Sequence, residues 1–240
     1  DGNGIITTVA SGLEWPASID VDDAGNLYIA EQYANRVRKL DPQGVLTTLL
    51  NGAGSFNNIS DVEADTAGNL YLADRHGCRV RKLDPTGRLV TVAGSSCGYS
   101  GDGGPATAAR IGNIYAVRVD AVGNLYIGDH TNGSVRKVDP HGIIGTVAGT
   151  GTPGNDPPGG PPTRTSFAGA FGLALDPSGN LYLSEPGAQR ISKVSRPAGG
   201  LEDAAAGELS FLEADGLAHL FSLAGRHLKT VNLATRQDLA

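Results

Sequence analysis

The sequence Gly-Asn-Leu-Tyr, followed six residues after its glycine by an acidic residue, recurs four times in this chain. The four copies keep the same order of residues and span Gly25–Glu31, Gly68–Asp74, Gly123–Asp129 and Gly179–Glu185. A supersecondary unit that recurs along a chain predicts a repeat architecture, in which neighbouring units bury each other's apolar faces. This repeat therefore constrains the fold more strongly than any individual residue does.

Each copy has room for four short strands. Ala17–Asp22 alternates in polarity, as a half-buried strand does, and an Asp-x-x-Gly-Asn turn follows it. Leu27–Ala30 supplies aromatic and β-branched residues, Arg36–Leu40 alternates again, and Val45–Leu50 forms the fourth strand pattern. Four antiparallel strands joined by tight turns are typical of one propeller blade.

This pattern resembles the NHL repeat, in which a hydrophobic-Asp-x-x-Gly-Asn-hydrophobic-Tyr core is followed by Arg-hydrophobic-x-Lys. The resemblance covers about residues 5–196 and implies an all-β, NHL-type β-propeller of four-stranded antiparallel blades. The spacers Ile5–Ala10 and Gly101–Ala109 are similar to those in propellers of bacterial secreted proteins. Some of those propellers adjoin a YD-repeat shell, as in Rhs and teneurin-like proteins.

A propeller must close, because an open ring leaves strand edges exposed. We expect five blades, with Ile5–Ala10 as the closing outer strand of the last blade; six blades is the alternative. Residues 1–196 are expected to hold four NHL-type blades and the closing strand. Residues 197–240 are interpreted as a degenerate last blade, with Glu213–Gly216 in the turn position, or as the start of a YD/Rhs-like segment, which Gly225–Thr230 resembles.

The composition fits a globular domain, with 40% hydrophobic residues and a net charge of −6. Because phosphate binding requires a basic surface, we expect no nucleic-acid partner. No apolar run approaches the length that a membrane helix needs, so we expect no membrane segment. The sequence contains no Met. We therefore expect an internal segment of a larger protein. The resemblance to propellers of secreted proteins implies a location outside the cell or on its surface.

The acidic residue of each repeat is expected to pair with an arginine five residues later, across the hairpin between the second and third strands. Blade three lacks this arginine and has Ser134 in its place. Asp129 is then expected to be free beside His130. These two residues are candidates for binding, although a solvated turn is the alternative.

Two long insertions, Ser95–Gly112 and Thr150–Ala170, interrupt the repeat. Loops on a rigid scaffold often carry recognition, so we expect a contact surface for a protein partner or for adjoining domains of the parent chain. Its candidate residues are Tyr99, Asp102, Arg110, Arg164 and Phe167.

Cys78 and Cys97 are the two cysteines of the chain. One begins a third strand and the other lies in the insertion after the same blade, so a disulfide is as plausible as two free thiols. A disulfide would fit an oxidising, extracellular location. His76 is near Cys78 in sequence, but a metal site would need further ligands, and we expect none.

The first strands supply candidates for residues that face the propeller axis. They are Ser18 or Asp20, Asp61 or Glu63, Arg118 and Ala174. Asp20 and Glu63 are suited to hold a cation, but Arg118 would oppose it. We therefore expect no bound metal, no cofactor and no catalytic residues.

The resemblance implies a non-catalytic interaction or scaffold module of a secreted or cell-surface YD-repeat protein, binding protein partners through loops on one face of the ring. The alternative is a metal-dependent hydrolase or lyase with a site in the channel, since propellers also carry enzymes.

Overall fold

The computed structural model describes residues 4–52, 54–157 and 159–195, together with the backbone of four strands between residues 208 and 239. These parts are almost entirely β-structure, as the repeat predicts. The described helices are short 3₁₀ turns at Ala106–Ala108, Pro162–Arg164 and Pro186–Ala188. None of them has the length and apolar character needed to cross a membrane.

Blades one and two each contain four antiparallel strands in sequence order. The strands of blade one are β1 (Pro16–Val21), β2 (Leu27–Glu31), β3 (Arg36–Leu40) and β4 (Leu46–Asn51). Those of blade two are β5 (Ile59–Ala64), β6 (Leu70–Asp74), β7 (Arg79–Leu83) and β8 (Leu89–Ala93). The predicted all-β architecture of four-stranded antiparallel blades is therefore confirmed.

The first long insertion forms a small parallel pair, β9 (Ser96–Cys97) and β10 (Arg110–Ile111). Blade three follows with four antiparallel strands, β11 (Ile114–Val119), β12 (Leu125–Asp129), β13 (Ser134–Val138) and β14 (Ile144–Gly149). Blade four contains β15 (Gly172–Leu175), β16 (Leu181–Glu185) and β17 (Arg190–Val194). A fourth strand of blade four would fall on residues 196–207, which lie outside the described residues.

A C-terminal sheet contains β18 (Glu208–Leu212), β19 (Leu217–Ser222), β20 (His227–Asn232) and β21 (Gln237–Leu239). The turn predicted for this segment, at 213–216, lies outside the described residues. The chain divides into two compact units, one of Asp1–Leu175 with Tyr182–Ser192 and one of Asp176–Leu181 with Lys193–Ala240. The predicted domain boundary after residue 196 also lies outside the described residues and stays a prediction.

The predicted closing strand is wrong. Residues 5–10 form no strand, and the C-terminal sheet has β21 as its own outer strand. Because β21 already occupies the place beside β20, this sheet needs no strand from the N-terminal segment. The expectation of five blades closed by that segment is corrected to four blades followed by the C-terminal sheet.

The first hairpin turn of each blade is organised by its aspartate. In blade one, Asp22 accepts hydrogen bonds from the Asn26 backbone N–H at 2.8 Å and from the Tyr28 hydroxyl at 3.0 Å. Gly25 has φ of 80°, a left-handed conformation that glycine adopts without steric cost. Asp65, Asp120 and Asp176 accept the corresponding asparagine N–H bonds in the other blades. The Asp-x-x-Gly-Asn sequence therefore fixes this turn in all four blades.

The core lies between the faces of neighbouring blades. One cluster joins blades one and two and includes Tyr28, Val37, Phe56, Ile59, Val62 and Leu72. Another joins blades two and three and includes Val80, Ile111, Ile114, Val117, Ile127 and Ile144. Blades one to three therefore bury apolar side chains against their neighbours, as a repeat architecture requires.

A disulfide joins Cys78 to Cys97, with 5.1 Å between their Cα atoms and a sequence separation of 19 residues. Cys78 lies immediately before β7 and is fully buried, whereas Cys97 lies in exposed β9. The bond therefore fastens the insertion after blade two to the body of that blade.

Replacing both cysteines, Cys78→Ser with Cys97→Ser, is expected to lower the free energy of unfolding by about 3 kcal/mol, because the bond closes a loop of intermediate length in the unfolded chain. Denaturant titration of the oxidised protein and of the double variant measures the change. Equal unfolding free energies would contradict this role.

Candidate functional site

The acidic residue that ends each second strand is completely buried. Glu31, Asp74 and Glu185 each accept a hydrogen bond from the Nε of the predicted arginine, at 2.5 Å from Arg36, 2.8 Å from Arg79 and 2.9 Å from Arg190. The predicted ion pairs across the hairpin are thus confirmed in blades one, two and four. The Arg36 hydrogen bonds hold the pKa of Glu31 below its ordinary value.

These acids also hold the segment that enters each blade. Each accepts a backbone N–H from a residue 17 positions earlier. The backbone N–H donates to the carboxylate in four pairs: Glu14 donates to Glu31 at 2.6 Å, Asn57 to Asp74 at 2.7 Å, Gly112 to Asp129 at 3.0 Å and Ala168 to Glu185 at 3.4 Å. Their role is to fasten three parts of one blade together.

Asp129 is not free, contrary to expectation. Asn132 donates from its side chain to both carboxylate oxygens, at 2.9 and 2.8 Å, and Gly112 donates its backbone N–H. Burial raises the pKa of Asp129 above its ordinary value. An asparagine within the turn thus replaces the missing arginine, and Asp129 serves the same structural role as the other three acids.

His130 is directed away from this network. Its ring contacts Tyr115 and Phe171, with centroid separations of 4.7 and 4.9 Å. Burial lowers the pKa of His130, and the nearby charge of Arg75 lowers it further. Tyr115, Phe171 and Arg75 were not among the predicted site residues.

The predicted loop surface is only partly exposed. Tyr99 and Arg164 are exposed, whereas Phe167 is 4% exposed and packs in the interior. Phe167 is therefore corrected from a surface contact to a core residue of its insertion. Arg110 donates to the backbone carbonyl of Cys97 at 2.8 Å and so helps to fold its own loop.

Asp102 also has a local partner. It forms an ion pair with Arg136, whose side chain is fully buried on β13. The guanidinium carbon of Arg136 lies 4.9 Å from the centroid of the Tyr99 ring. The hydroxyl of Tyr99 is hydrogen-bonded to Thr146 at 2.8 Å. These contacts explain how the insertion is ordered, but they do not test its predicted binding role.

The first strands of blades one to four contact each other in succession. They are the innermost strands, so one edge of each lacks a neighbouring strand within its own sheet. Polar side chains of one blade accept the backbone N–H groups at the next inner edge. These bonds run from Ala64 to Asp20 at 2.6 Å, from Val117 to Asp61 at 2.9 Å and from Val119 to Glu63 at 3.3 Å.

Arg118 completes this inner group of residues. Its Nη1 lies 2.9 Å from Asp61 and 3.5 Å from Glu63. The exposed fractions of the three side chains are 31% for Arg118, 8% for Asp61 and 16% for Glu63. Ser18 donates its hydroxyl to Asp61 and so joins blade one to the group. We call Ser18, Asp20, Asp61, Glu63 and Arg118 the channel cluster.

Glu63 is a largely buried carboxyl group of this cluster. Burial raises the pKa of Glu63 to about 7, and the charge of Arg118 opposes the rise. Such a group exchanges protons near neutral pH, which is the property required of a general acid or base. The sequence analysis placed Glu63 at the axis but did not indicate its burial.

The channel cluster contains three carboxylate residues, yet Arg118 lies between two of them. Within residues 4–52, 54–157 and 159–195, no three His, Cys, Asp or Glu side chains are gathered as a metal site would need. The cluster therefore holds two carboxylates and one guanidinium within ion-pair distance of each other.

No protein-family model matches the sequence, and no curated protein matches it. Solved structures do match the fold. An auxiliary nutrient binding protein from Bacteroides thetaiotaomicron is 21% identical, with a TM-score of 0.66, over 81% of this chain and 50% of that one. This chain thus spans about half the length of that protein, and 46% of another structure from the same organism.

Enzymes are also among the matched structures. A gluconolactonase from Xanthomonas campestris is 17% identical, with a TM-score of 0.59, over 92% of this chain and 77% of that one. A streptogramin B lyase is 13% identical, with a TM-score of 0.53, over 93% of this chain and 70% of that one. At these identities the similarity shows the propeller fold.

The expectation of a non-catalytic scaffold from a YD-repeat protein is corrected by these matches. The similar propellers include a lyase and a gluconolactonase, which agree better with the alternative expectation of a metal-dependent hydrolase or lyase than with a scaffold. The matched structures show a propeller fold but not membership of the NHL or Rhs families. The expectation that the chain is not an enzyme thus has no support from the matched structures.

Replacing Asp61 with Asn is expected to lower the free energy of unfolding by about 3 kcal/mol, because it removes one charge from a buried ion pair. The amide would also place a donor against the donors that now meet the carboxylate. Asp23→Asn, at an exposed turn position, is the matched control and is expected to change stability by less than about 0.5 kcal/mol. Similar unfolding free energies for both variants would contradict the assignment.

The raised pKa of Glu63 predicts the sign of a pH effect on stability. Because the folded pKa of about 7 exceeds the ordinary value of 4.5, the folded state binds more protons between these values. Glu63 therefore lowers the free energy of unfolding as the pH rises from 4.5 to about 7. Glu63→Gln is expected to remove this part of the pH dependence, measured by denaturant titration across the range. A stability difference between wild type and variant that is independent of pH would be inconsistent with it.

Proposed function

We propose that this chain is a propeller hydrolase or lyase with its site in the channel, in which Glu63 transfers the proton and Arg118 stabilises the oxyanion that develops on the substrate. The observation that carries the proposal is the meeting of β5 and β11 at the inner edges of blades two and three, where Arg118 lies within 3.5 Å of Glu63. The matched gluconolactonase and lyase support the reaction class.

Glu63 is suited to proton transfer by its surroundings. Its side chain is largely buried but retains some exposure, so a substrate proton can reach it. Oε1 accepts the Val119 N–H at 3.3 Å, which fixes the orientation of the carboxyl group. A carboxyl group held in this way, with a pKa near the working pH, is an efficient general base.

Arg118 supplies the complementary charge. Its side chain is 31% exposed, against 8% for Asp61 and 16% for Glu63, so it is the member of its ion pairs that solvent reaches most easily. A guanidinium binds carboxylates and developing oxyanions with short, charge-assisted hydrogen bonds. Asp61, which is 8% exposed, positions Arg118 and does not itself face a substrate.

A lactone would be opened by water in two stages. Glu63 takes a proton from water while the water oxygen bonds to the carbonyl carbon, and Arg118 stabilises the oxyanion. The ring C–O bond then breaks, and Glu63 returns the proton to the departing alkoxide. For a lyase, Glu63 takes a proton from carbon while the neighbouring C–O bond breaks and its electron pair leaves with oxygen.

The disulfide supports a location for this enzyme outside the reducing cytosol. Disulfides persist in oxidising compartments, and the bond joins Cys78, a buried residue just before β7, to Cys97 in a surface insertion. We also propose that the scaffold holding this site is a propeller of NHL-type blades.

The test is an assay of the purified chain on gluconolactone, followed by acid release, and on a streptogramin B antibiotic, followed by loss of the intact compound. Glu63→Gln is expected to lower kcat/KM by about a hundredfold or more, since it removes the proton-transferring group. Asp23→Asn is the matched control and should retain wild-type activity. Parallel assays with a chelator and with added divalent cations establish whether the activity responds to metal.

The wild-type kcat/KM should also rise with pH, with a midpoint at the Glu63 pKa of about 7. Failure to accelerate either reaction, or full activity in Glu63→Gln, would overturn the proposed function.

A further inference from the structure

Three aromatic rings gather where blades three and four begin. Tyr115 lies 4.2 Å from Phe171 and 4.7 Å from His130 between ring centroids, and His130 lies 4.9 Å from Phe171. The rings meet at angles of 40°, 61° and 83°, so they form a tilted cluster with aromatic faces turned in different directions. We call Tyr115, His130 and Phe171, with Arg75, the aromatic cluster.

The cluster comes from positions that other blades fill with small or non-aromatic side chains. Tyr115 is the bulged residue between the paired positions Ile114 and Ala116 of β11. Ser60 holds the bulged position in β5. Bulges redirect a side chain out of the regular pattern of a sheet, and they are frequent beside functional sites. Two consecutive blades thus bring large rings to a place where the repeat itself does not require them.

Arg75 adds a positive charge. Its guanidinium carbon lies 3.9 Å from the centroid of the Tyr115 ring, and its Nη2 donates to the Tyr115 hydroxyl. Among the described residues, no carboxylate lies within ion-pair distance of Arg75, unlike Arg36, Arg79 and Arg190 of the repeat. The charge is therefore available to an external anion.

The acidic residue nearest in sequence does not neutralise this charge. The Asp129 carboxylate is fully buried and is occupied by Asn132 and by the Gly112 N–H. His130 has a lowered pKa because it is partly buried and lies near Arg75, so it is mainly neutral at neutral pH. The aromatic cluster therefore combines apolar rings with one unneutralised cation.

Exposure shows that the cluster faces outward. Phe171 is 42% exposed, and Tyr115, His130 and Arg75 are partly exposed. Gly169 lies against the His130 ring so closely that a Cβ there would be 2.3 Å from Nδ1. A glycine at this position leaves room for the His130 ring to pack within the cluster.

We propose that the aromatic cluster binds a small planar aromatic ligand that carries a carboxylate. The ring of the ligand stacks against the exposed ring of Phe171, and its carboxylate pairs with Arg75, which lies over Tyr115. Aromatic faces provide a large contact area with defined geometry, and a guanidinium provides charge-assisted hydrogen bonds to a carboxylate. The site uses none of the channel residues, so it stands independently of the proposed enzymatic activity.

The chain offers a matched control in blade one. Trp15 and Tyr33 form another exposed aromatic pair, with 5.2 Å between ring centroids. No guanidinium or ammonium group is placed over either ring among the described residues. An exposed aromatic pair without a cation, Trp15 and Tyr33, can therefore be compared directly with the exposed rings beside Arg75.

The test is a titration of the whole chain with 4-fluorobenzoate, followed by fluorine NMR, with no enzymatic turnover required. Saturable binding is expected, and Arg75→Gln and Phe171→Leu should each weaken it by about tenfold. Tyr33→Leu and Arg88→Gln, which remove an exposed ring and an exposed charge elsewhere, should bind as the wild type does. Thermal unfolding of each variant verifies that the fold is kept.

Two further ligands separate ring from charge. The neutral 4-fluorobenzyl alcohol should bind more weakly than 4-fluorobenzoate, and Arg75→Gln should abolish that difference. Cyclohexanecarboxylate, which lacks an aromatic ring, should compete poorly. Glu63→Gln should bind 4-fluorobenzoate normally even where it has lost activity, which distinguishes this site from the channel. The absence of saturable binding, or equal losses in Tyr33→Leu and Phe171→Leu, would overturn the proposal.

Discussion

The buried acid at the end of each second strand is the interaction on which the blades depend. Glu31, Asp74, Asp129 and Glu185 are all fully buried, and each accepts the backbone N–H of the segment that enters its blade. A buried carboxylate without such partners is strongly unfavourable, so the entering segment and the hairpin must assemble together. The repeat of this residue thus reflects a physical requirement of every blade, and blade three meets it with Asn132 in place of an arginine.

The inner strands present a different requirement, which the molecule satisfies between blades. An unpaired strand edge carries backbone N–H groups that need acceptors. Asp20, Asp61 and Glu63 accept those groups from the next blade along. Asp61 and Glu63 also form ion pairs with Arg118, so a network that joins blades also concentrates charge in one place. This overlap explains how a structural position such as Glu63 can take part in chemistry.

The sequence predicted the strands, the turns and the ion pairs across the hairpins, because all of these depend on residues close together in the chain. Blade one illustrates this: Asp22 and Asn26 close a turn, and Glu31 pairs with Arg36. The prediction of an N-terminal closing strand was wrong, because the partner of that strand depended on how a distant, degenerate sheet is completed. The site was predicted in part. Glu63 and Arg118 were placed at the axis, but the burial that raises the pKa of Glu63 depends on packing between blades.

The aromatic cluster was not predicted, since Arg75, Tyr115 and Phe171 belong to three different blades. The sequence did contain a signal, because Tyr115 replaces the small residue found at the equivalent position of β5. Departures from a repeat are thus more informative about function than the repeat itself. The sequence drew attention to His130 because Ser134 stands where the repeat has arginine. In the structure, His130 contacts the rings of Tyr115 and Phe171 and not Asp129.

The central claim is that packing between the inner strands gives Glu63 a carboxyl group that ionises near neutral pH. Carbon-13 NMR of the folded protein with labelled glutamate, assigned through the Glu63→Gln variant, measures that ionisation directly. The account predicts a Glu63 carboxyl resonance that titrates with a midpoint of about 7. A midpoint at the ordinary glutamate value of 4.5 would contradict it.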